Sequence, residues 1–342
     1  MKNLVILTLL LLFISGMFFL IPSKYLDNDQ IVVVYPTDAN WPEGLGLGNQ
    51  FMTYALANIF ARKIKTDKIF IYHNVLCTGN EGFKDTSKRC YGLHRFGIED
   101  PIILDIESFA SNYDKSLIKD IDELKYFDLP EEYFKNYKVF MIKFVFTKNL
   151  SDYFDKNKDN IRSLFKYQGD LSQEAKKILS EIKNSESVSI HIRRGDYIAL
   201  GWSVPISYQI RAAYFILEKL PNAEFFIFSD DSKYVKNYIK DTKNIRSALS
   251  SKNITPSQLS AFQEKLKNSI YVSKEVNHSL EEFYLMSECN HNIITRSIFS
   301  WWAGFLNKNP NKTVVSPTIS VHKKFDGNFP KIPQNDGWVE IY

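Results

Sequence analysis

The sequence predicts an α/β fold built on parallel sheets. Two observations carry that prediction. Short β-branched or aromatic runs alternate with helical stretches along the chain. Three of those runs end in polar clusters, which is where open α/β sheets bind their ligands.

The elements follow in chain order. Leu4 to Ile21 is an uncharged run of 18 residues. As a helix it is about 27 Å long, close to the thickness of a bilayer's hydrocarbon core. A cleaved signal peptide is the alternative. The run is longer than a usual signal core and Pro22-Ser23-Lys24 offers no small-x-small cleavage site, so an uncleaved anchor is preferred. Residues 1–3 then form a short cytoplasmic tail and 22–30 a polar stem. Ile31–Tyr35 (IVVVY) reads as a buried strand. A glycine-rich loop, Pro42 to Gly48, leads into a helix from Asn49 to Lys63, and Ile69–Tyr72 reads as a second strand. Residues 76 to 100 form a polar insertion. Helical patterns follow near 130–165 and at 171–183.

The second half is more regular. Strands are expected at Val188–Ile192, Glu224–Phe228, Ile270–Val272, Asn292–Ile294 and Thr313–Ser316. Helices are expected at Ile206–Leu220, Ser232–Ile239, Ser279–Cys289 and Phe299–Leu306, with Ser279 as N-cap and Glu282 completing a capping box. The two halves are taken as residues 31–180 and 181–342.

Composition narrows the function classes. The net charge is +4, too small to make nucleic acid the main partner. Cys77, Cys90 and Cys289 form no CxxC pair and so no zinc spacing. Cys77 and Cys90 share a polar loop and could pair in an oxidising compartment; unpaired thiols are the alternative. Four N-x-[ST] sequons, at Asn149, Asn253, Asn277 and Asn311, favour a luminal catalytic part when taken with the anchor. Pro256 disfavours use of Asn253.

The polar clusters carry the chemistry. His191-Ile192-Arg193-Arg194-Gly195-Asp196-Tyr197 puts two guanidinium forks at a strand end, a match for phosphate oxygens. A departing diphosphate needs that charge as its bond to a sugar breaks. Asp196 can hold one arginine, and alternation puts His191 on the side of Arg193. A surface salt-bridge cluster is the plainer account. Phe228-Ser229-Asp230-Asp231 offers a carboxylate to a base or ribose, or merely a helix N-cap. Thr295-Arg296-Ser297-Ile298-Phe299-Ser300 lies at a strand-to-helix turn, where free N–H groups suit phosphate. Trp301 and Trp302 read as core.

These residues resemble the α-1,2-fucosyltransferases, glycosyltransferase family 11, in the larger group with the α-1,6- and protein O-fucosyltransferases. The matching stretches are collinear: Gly46-Leu47-Gly48-Asn49-Gln50, His191 to Tyr197, Phe228 to Asp231, and Phe283 through His291 to Trp302. The resemblance implies a GT-B-like fold of two Rossmann-like halves behind one transmembrane helix. It implies no metal, GDP-β-L-fucose as donor, inversion at the anomeric carbon, and the 2-hydroxyl of a terminal β-galactoside glycan as acceptor. By the same route Arg193 meets the β-phosphate with Arg194 in support. Asp230 or Asp231 meets guanine or ribose, Ser297, Phe299 and Ser300 line the GDP site, and Gly48 and Asn49 lie near the donor. Phe51-Met52 reverses the usual order of the family, and Arg296 stands where a small or amide residue is common. Glu43, His191 and Asp196 are candidates for the base; a solvated loop residue is the plainer account of Glu43, and proton loss to solvent or substrate without a base is the further alternative. A single-pass Golgi membrane protein with a luminal catalytic part is expected. A protein O-fucosyltransferase and a non-catalytic GDP or glycan binder are the rival readings.

Overall fold

The structure is a computed structural model that describes residues 29–35, 46–73, 90–143, 150–276, 278–318 and 338–342. The anchor at 4–21, Glu43, Gly44, Cys77, Asn149 and Asn277 lie outside the described residues. Among the described residues no helix is long and apolar enough to cross a membrane.

The chain divides into two compact units. One comprises residues 1–76, 89–94 and 98–145; the other comprises 77–88, 95–97 and 146–342. The last change between the units falls at 145/146. The helices Leu150–Leu164 and Gln173–Lys183 go with the second unit.

The first unit holds a five-stranded parallel sheet. Its strands are β1 (Ile31–Tyr35), β2 (Ile69–Tyr72), β3 (Ile102–Ile103), β4 (Ile118–Ile121) and β5 (Val139–Lys143), in the order β3-β2-β1-β5-β4. β1 is central and buried on both faces, which is why it reads as an unbroken β-branched run. One face packs Ile31, Val33, Phe70, Val139 and Met141 together. The helix Leu47–Lys63 also packs on β1, and its Phe60 meets Phe134 and Phe140 at ring distances of 5.1 and 5.2 Å. β5 corrects the helical pattern expected across 130–165. A short apolar run such as Val139-Phe140-Met141-Ile142 has no period of its own, and pairing with β1 and β4 makes it a strand.

The second unit holds a six-stranded parallel sheet. Its strands are β6 (Ser187–Ile192), β7 (Glu224–Ser229), β8 (Ile270–Tyr271), β9 (His291–Ile293), β10 (Val314–Pro317) and β11 (Trp338–Ile341). The order is β11-β10-β9-β6-β7-β8. The chain runs outward from β6 through β7 to β8, returns to the other side of β6 as β9, and runs outward again to β11. The direction of winding reverses between β6 and β9, so a crevice opens at their carboxyl ends.

The two faces of this sheet differ. Val188, Ile190 and Ile192 join one apolar cluster with Tyr208, Ile210 and Ile216 of the helix Ile206–Lys219. Trp301 and Trp302, from the helix Ile298–Leu306, are fully buried against Phe154 and Phe305, as core residues. Two expectations are corrected here. The strand at 270–272 ends at Tyr271, and Val272 begins a short helix. The N-cap of Ser279–Glu288 is His278 rather than Ser279, and Glu282 accepts a hydrogen bond from Ser273 Oγ at 2.6 Å instead of closing a capping box.

Candidate active site

The loop after β6 and the loop after β7 are locked together by charge. Arg193 donates from Nε to Asp196 Oδ1 at 3.0 Å and pairs through a terminal nitrogen with Asp230 Oδ2 at 3.0 Å. Its guanidinium also lies 5.6 Å from the centre of the Tyr197 ring. Arg194 donates its backbone N–H to Asp230 Oδ1 at 2.8 Å and its Nε to Asp231 Oδ2 at 3.2 Å. The Arg194 guanidinium stacks on Tyr234 at 3.4 Å. Asp230 thus takes one arginine by side chain and the next by backbone. A Cβ on Gly195 would stand 2.7 Å from Asp230 Oδ2, so a larger residue there would displace the carboxylate that holds both arginines.

Asp231 does what a short acid before a helix does. It caps Ser232–Lys240 by accepting from Tyr234 N–H at 3.1 Å. The N-cap alternative therefore holds for Asp231, which also holds Arg194. The result is two arginines fixed in rotamer by three carboxylates. Their side chains remain partly exposed, at 26% for Arg193 and 17% for Arg194.

Across the crevice, β9 runs into Ile294 and the polar turn Thr295-Arg296-Ser297. Ser297 N–H bonds to Thr295 O at 2.7 Å, which folds the turn tightly. The Ser300 hydroxyl is fully buried and spent inside that turn, on Thr295 O and Ser297 O at 3.4 and 3.3 Å. Ser297 is the N-cap of Ile298–Leu306, yet its side chain makes no capping bond. The first-turn N–H groups of that helix are therefore not capped by it. Phe299 is half-buried, 5.8 Å ring to ring from His191.

Two titratable groups at this edge are strongly shifted. Burial, then the neighbouring Arg193 charge, pushes His191 down to about 3. Its Nδ1 is buried without a hydrogen-bond partner. Burial pushes Glu282 up to about 7, helped by Asp230 and opposed by Ser273 and Arg193. Glu282 ends a short relay, because Ser273 Oγ accepts from the backbone N–H of Ser229, the last residue of β7.

Gly48 and Asn49 lie in the first unit, in the opening turn of Leu47–Lys63. Asn49 N–H bonds to Gly46 O at 2.9 Å. Gln50 is pinned between Cys90 O and Gly92 N–H at 2.8 and 3.0 Å. Cys90 is in a disulfide, and Cys289 is free and buried. Among the described residues no three His, Cys, Asp or Glu side chains are grouped to hold a metal ion.

The model of Glycosyl transferase family 11 matches residues 93–341. The chain belongs to glycosyltransferase family 11. Among the relatives of this family 11 chain is the O-antigen biosynthesis glycosyltransferase WbnK of Escherichia coli. It is 27% identical over 333 residues, covering 86% of the chain and 98% of the relative. An α-1,2-colitosyltransferase of Escherichia coli is 28% identical over 195 residues, covering 55% of the chain and 59% of that protein. Solved structures that the chain matches include an Arabidopsis thaliana FUT1 mutant in complex with GDP, at 11% identity. That match covers 90% of this chain and 76% of the other, with a TM-score of 0.46. NodZ α-1,6-fucosyltransferase soaked with GDP-fucose matches at 11% identity, 84% and 95% coverage and a TM-score of 0.41.

In this family 11 chain, the second unit gathers Arg193, Arg194, Asp196, Asp230 and Asp231 at adjoining strand ends. His191, Ser297, Phe299 and Ser300 sit at or under the same edge. Sequence reasoning missed Glu282 and Ser273. The available signal was an acid at 282 immediately before the apolar Phe283, Leu285 and Met286.

Proposed function

We propose that this family 11 glycosyltransferase is an inverting, metal-independent fucosyltransferase. It moves L-fucose from GDP-β-L-fucose to the 2-hydroxyl of a terminal β-galactoside, and its two units form a GT-B-like pair. The observation that carries the reading is the carboxylate-held arginine pair at the β6 end of the winding reversal.

The acceptor oxygen attacks C1 of fucose as the bond from C1 to the β-phosphate oxygen breaks. The electron pair leaves with GDP. Arg193 meets the β-phosphate charge as it grows, held ready by Asp196 and Asp230 so that little reorganisation is needed. Arg194 supports it from below, between Asp231 and Tyr234. The uncapped start of Ile298–Leu306 offers N–H groups and a favourable dipole to the same diphosphate.

The acceptor proton passes to a base of the protein or is lost to solvent or substrate. A histidine near 3 has little proton affinity at neutral pH, and the Asp196 carboxylate is engaged by Arg193. Of the three candidates Glu43 remains, outside the described residues. The protein is attached to a Golgi membrane through residues 4–21 with its catalytic part luminal, a placement supported by the apolar run and the sequons.

One relative favours a second reading. Its name specifies colitosyl transfer in an α-1,2 linkage. A different transferred sugar in the same linkage is therefore the alternative. The test is to incubate the full chain with GDP-fucose, EDTA and a panel of β-galactosides, and to weigh the products. A product heavier by one deoxyhexose with EDTA present supports the proposal. GDP binding without transfer from GDP-fucose to any galactoside contradicts it, and moves the assignment to another sugar or a protein acceptor.

A further inference from the structure

Resting on the donor reading above, we propose that Tyr208 is a positioning residue that holds the strand-to-turn corner of the diphosphate site. Its hydroxyl lies 2.9 Å from the carbonyl oxygens of both Ile294 and Val315. The ring is about 1% exposed, and burial raises the phenol well above its ordinary range. The hydroxyl is therefore a neutral donor, one proton shared by two acceptors.

The ladder between β9 and β10 explains why such a donor is needed. Asn292 N–H donates to Thr313 O, and Ile294 N–H donates to Val315 O. With Asn292 opposite Val314, the next bond would run from residue 317 N–H to Ile294 O. Residue 317 is proline and has no N–H. The ladder thus lacks its donor at the last carbonyl before Thr295-Arg296-Ser297. A buried carbonyl without a donor is costly, and Tyr208 supplies one from the side.

Tyr208 stands in the first turn of Ile206–Lys219, the helix that follows the Arg193–Pro205 segment. One hydroxyl therefore ties the element that follows the arginine pair to the element that opens the facing turn. Without it, the carbonyl side of the peptide between Ile294 and Thr295 loses its donor, and the peptide is held through Thr295 N–H, which donates to Ser300 Oγ at 3.3 Å. A shift of that peptide re-aims the turn and the helix start that would face the diphosphate.

GDP binding by titration calorimetry tests this on the full chain, on Tyr208→Phe and on Tyr208→Phe with Pro317→Ala, well below each melting temperature. Tyr208→Phe keeps the ring and is expected to weaken GDP roughly fivefold, the scale of one lost hydrogen bond. Pro317→Ala restores the missing ladder donor, and the double variant is expected to recover most of the affinity. A lower melting temperature with unchanged GDP affinity makes Tyr208 merely structural and overturns the inference. A double variant no better than the single one overturns it too. If the single variant does not fold, parental affinity in a folded double variant supports the inference, and an unfolded or weak-binding one overturns it. A parent chain that binds no GDP fails at the donor reading itself, which separates the two failures.

Discussion

Glu282 shows how one residue's surroundings change its chemistry. A carboxylate with a folded pKa near 7 takes up protons that its unfolded counterpart, near 4.5, releases. Between those values the folded chain binds more protons, so this residue's contribution to stability falls as pH rises. Glu282→Gln mimics the protonated form at every pH. Its melting temperature is therefore expected to match the parent near pH 4, to exceed it increasingly as pH rises toward about 7, and to keep that margin above. A difference that stays constant over that rise in pH would remove the raised pKa. This residue was not legible as a site residue because an acid in the first turn of a helix has an ordinary role there. Arg193, Arg194 and Asp196 were legible because charge at the end of a buried strand has no such role. Asp230 and Asp231 were legible only as alternatives, and the structure gives one of them both jobs, cap and arginine partner.

At the scale of elements, the central strands were legible where burial on both faces wrote a β-branched run. β1 and β2 appear at the expected residues for that reason. β5 was not, because a run of four apolar residues fits a strand or one face of a helix, and only its pairing decides. The helix Ile298–Leu306 carries the element-scale prediction. Its N-cap Ser297 leaves the side-chain cap unmade. Ser297→Asp would place a carboxylate where the proposed diphosphate binds, while offering the helix a better cap. The expected result is a melting temperature equal to or above that of the parent, with GDP affinity weakened about tenfold or more through like-charge repulsion. Unweakened GDP binding in a folded Ser297→Asp variant would move the diphosphate away from this helix start.

At the scale of the whole molecule, the winding order of the second sheet makes the arrangement intelligible. The chain reverses between β6 and β9, and the two motifs that flank the reversal are the ones richest in charge and hydroxyls. Neither motif is near the other in sequence, so only the topology makes them neighbours. The fold class was legible from alternation, whereas the strand order was not, because nothing local in a strand states its neighbours. The central claim is that Arg193 stabilises a departing GDP. Transfer from GDP-fucose by the full chain and by Arg193→Ala, compared under saturating donor and β-galactoside acceptor, tests it most directly. The expected result is fucosylated product from the parent and a fall in kcat of about 10²- to 10³-fold in the variant, as for other lost charge-stabilising donors. A folded Arg193→Ala variant that turns over near the parental rate would contradict it.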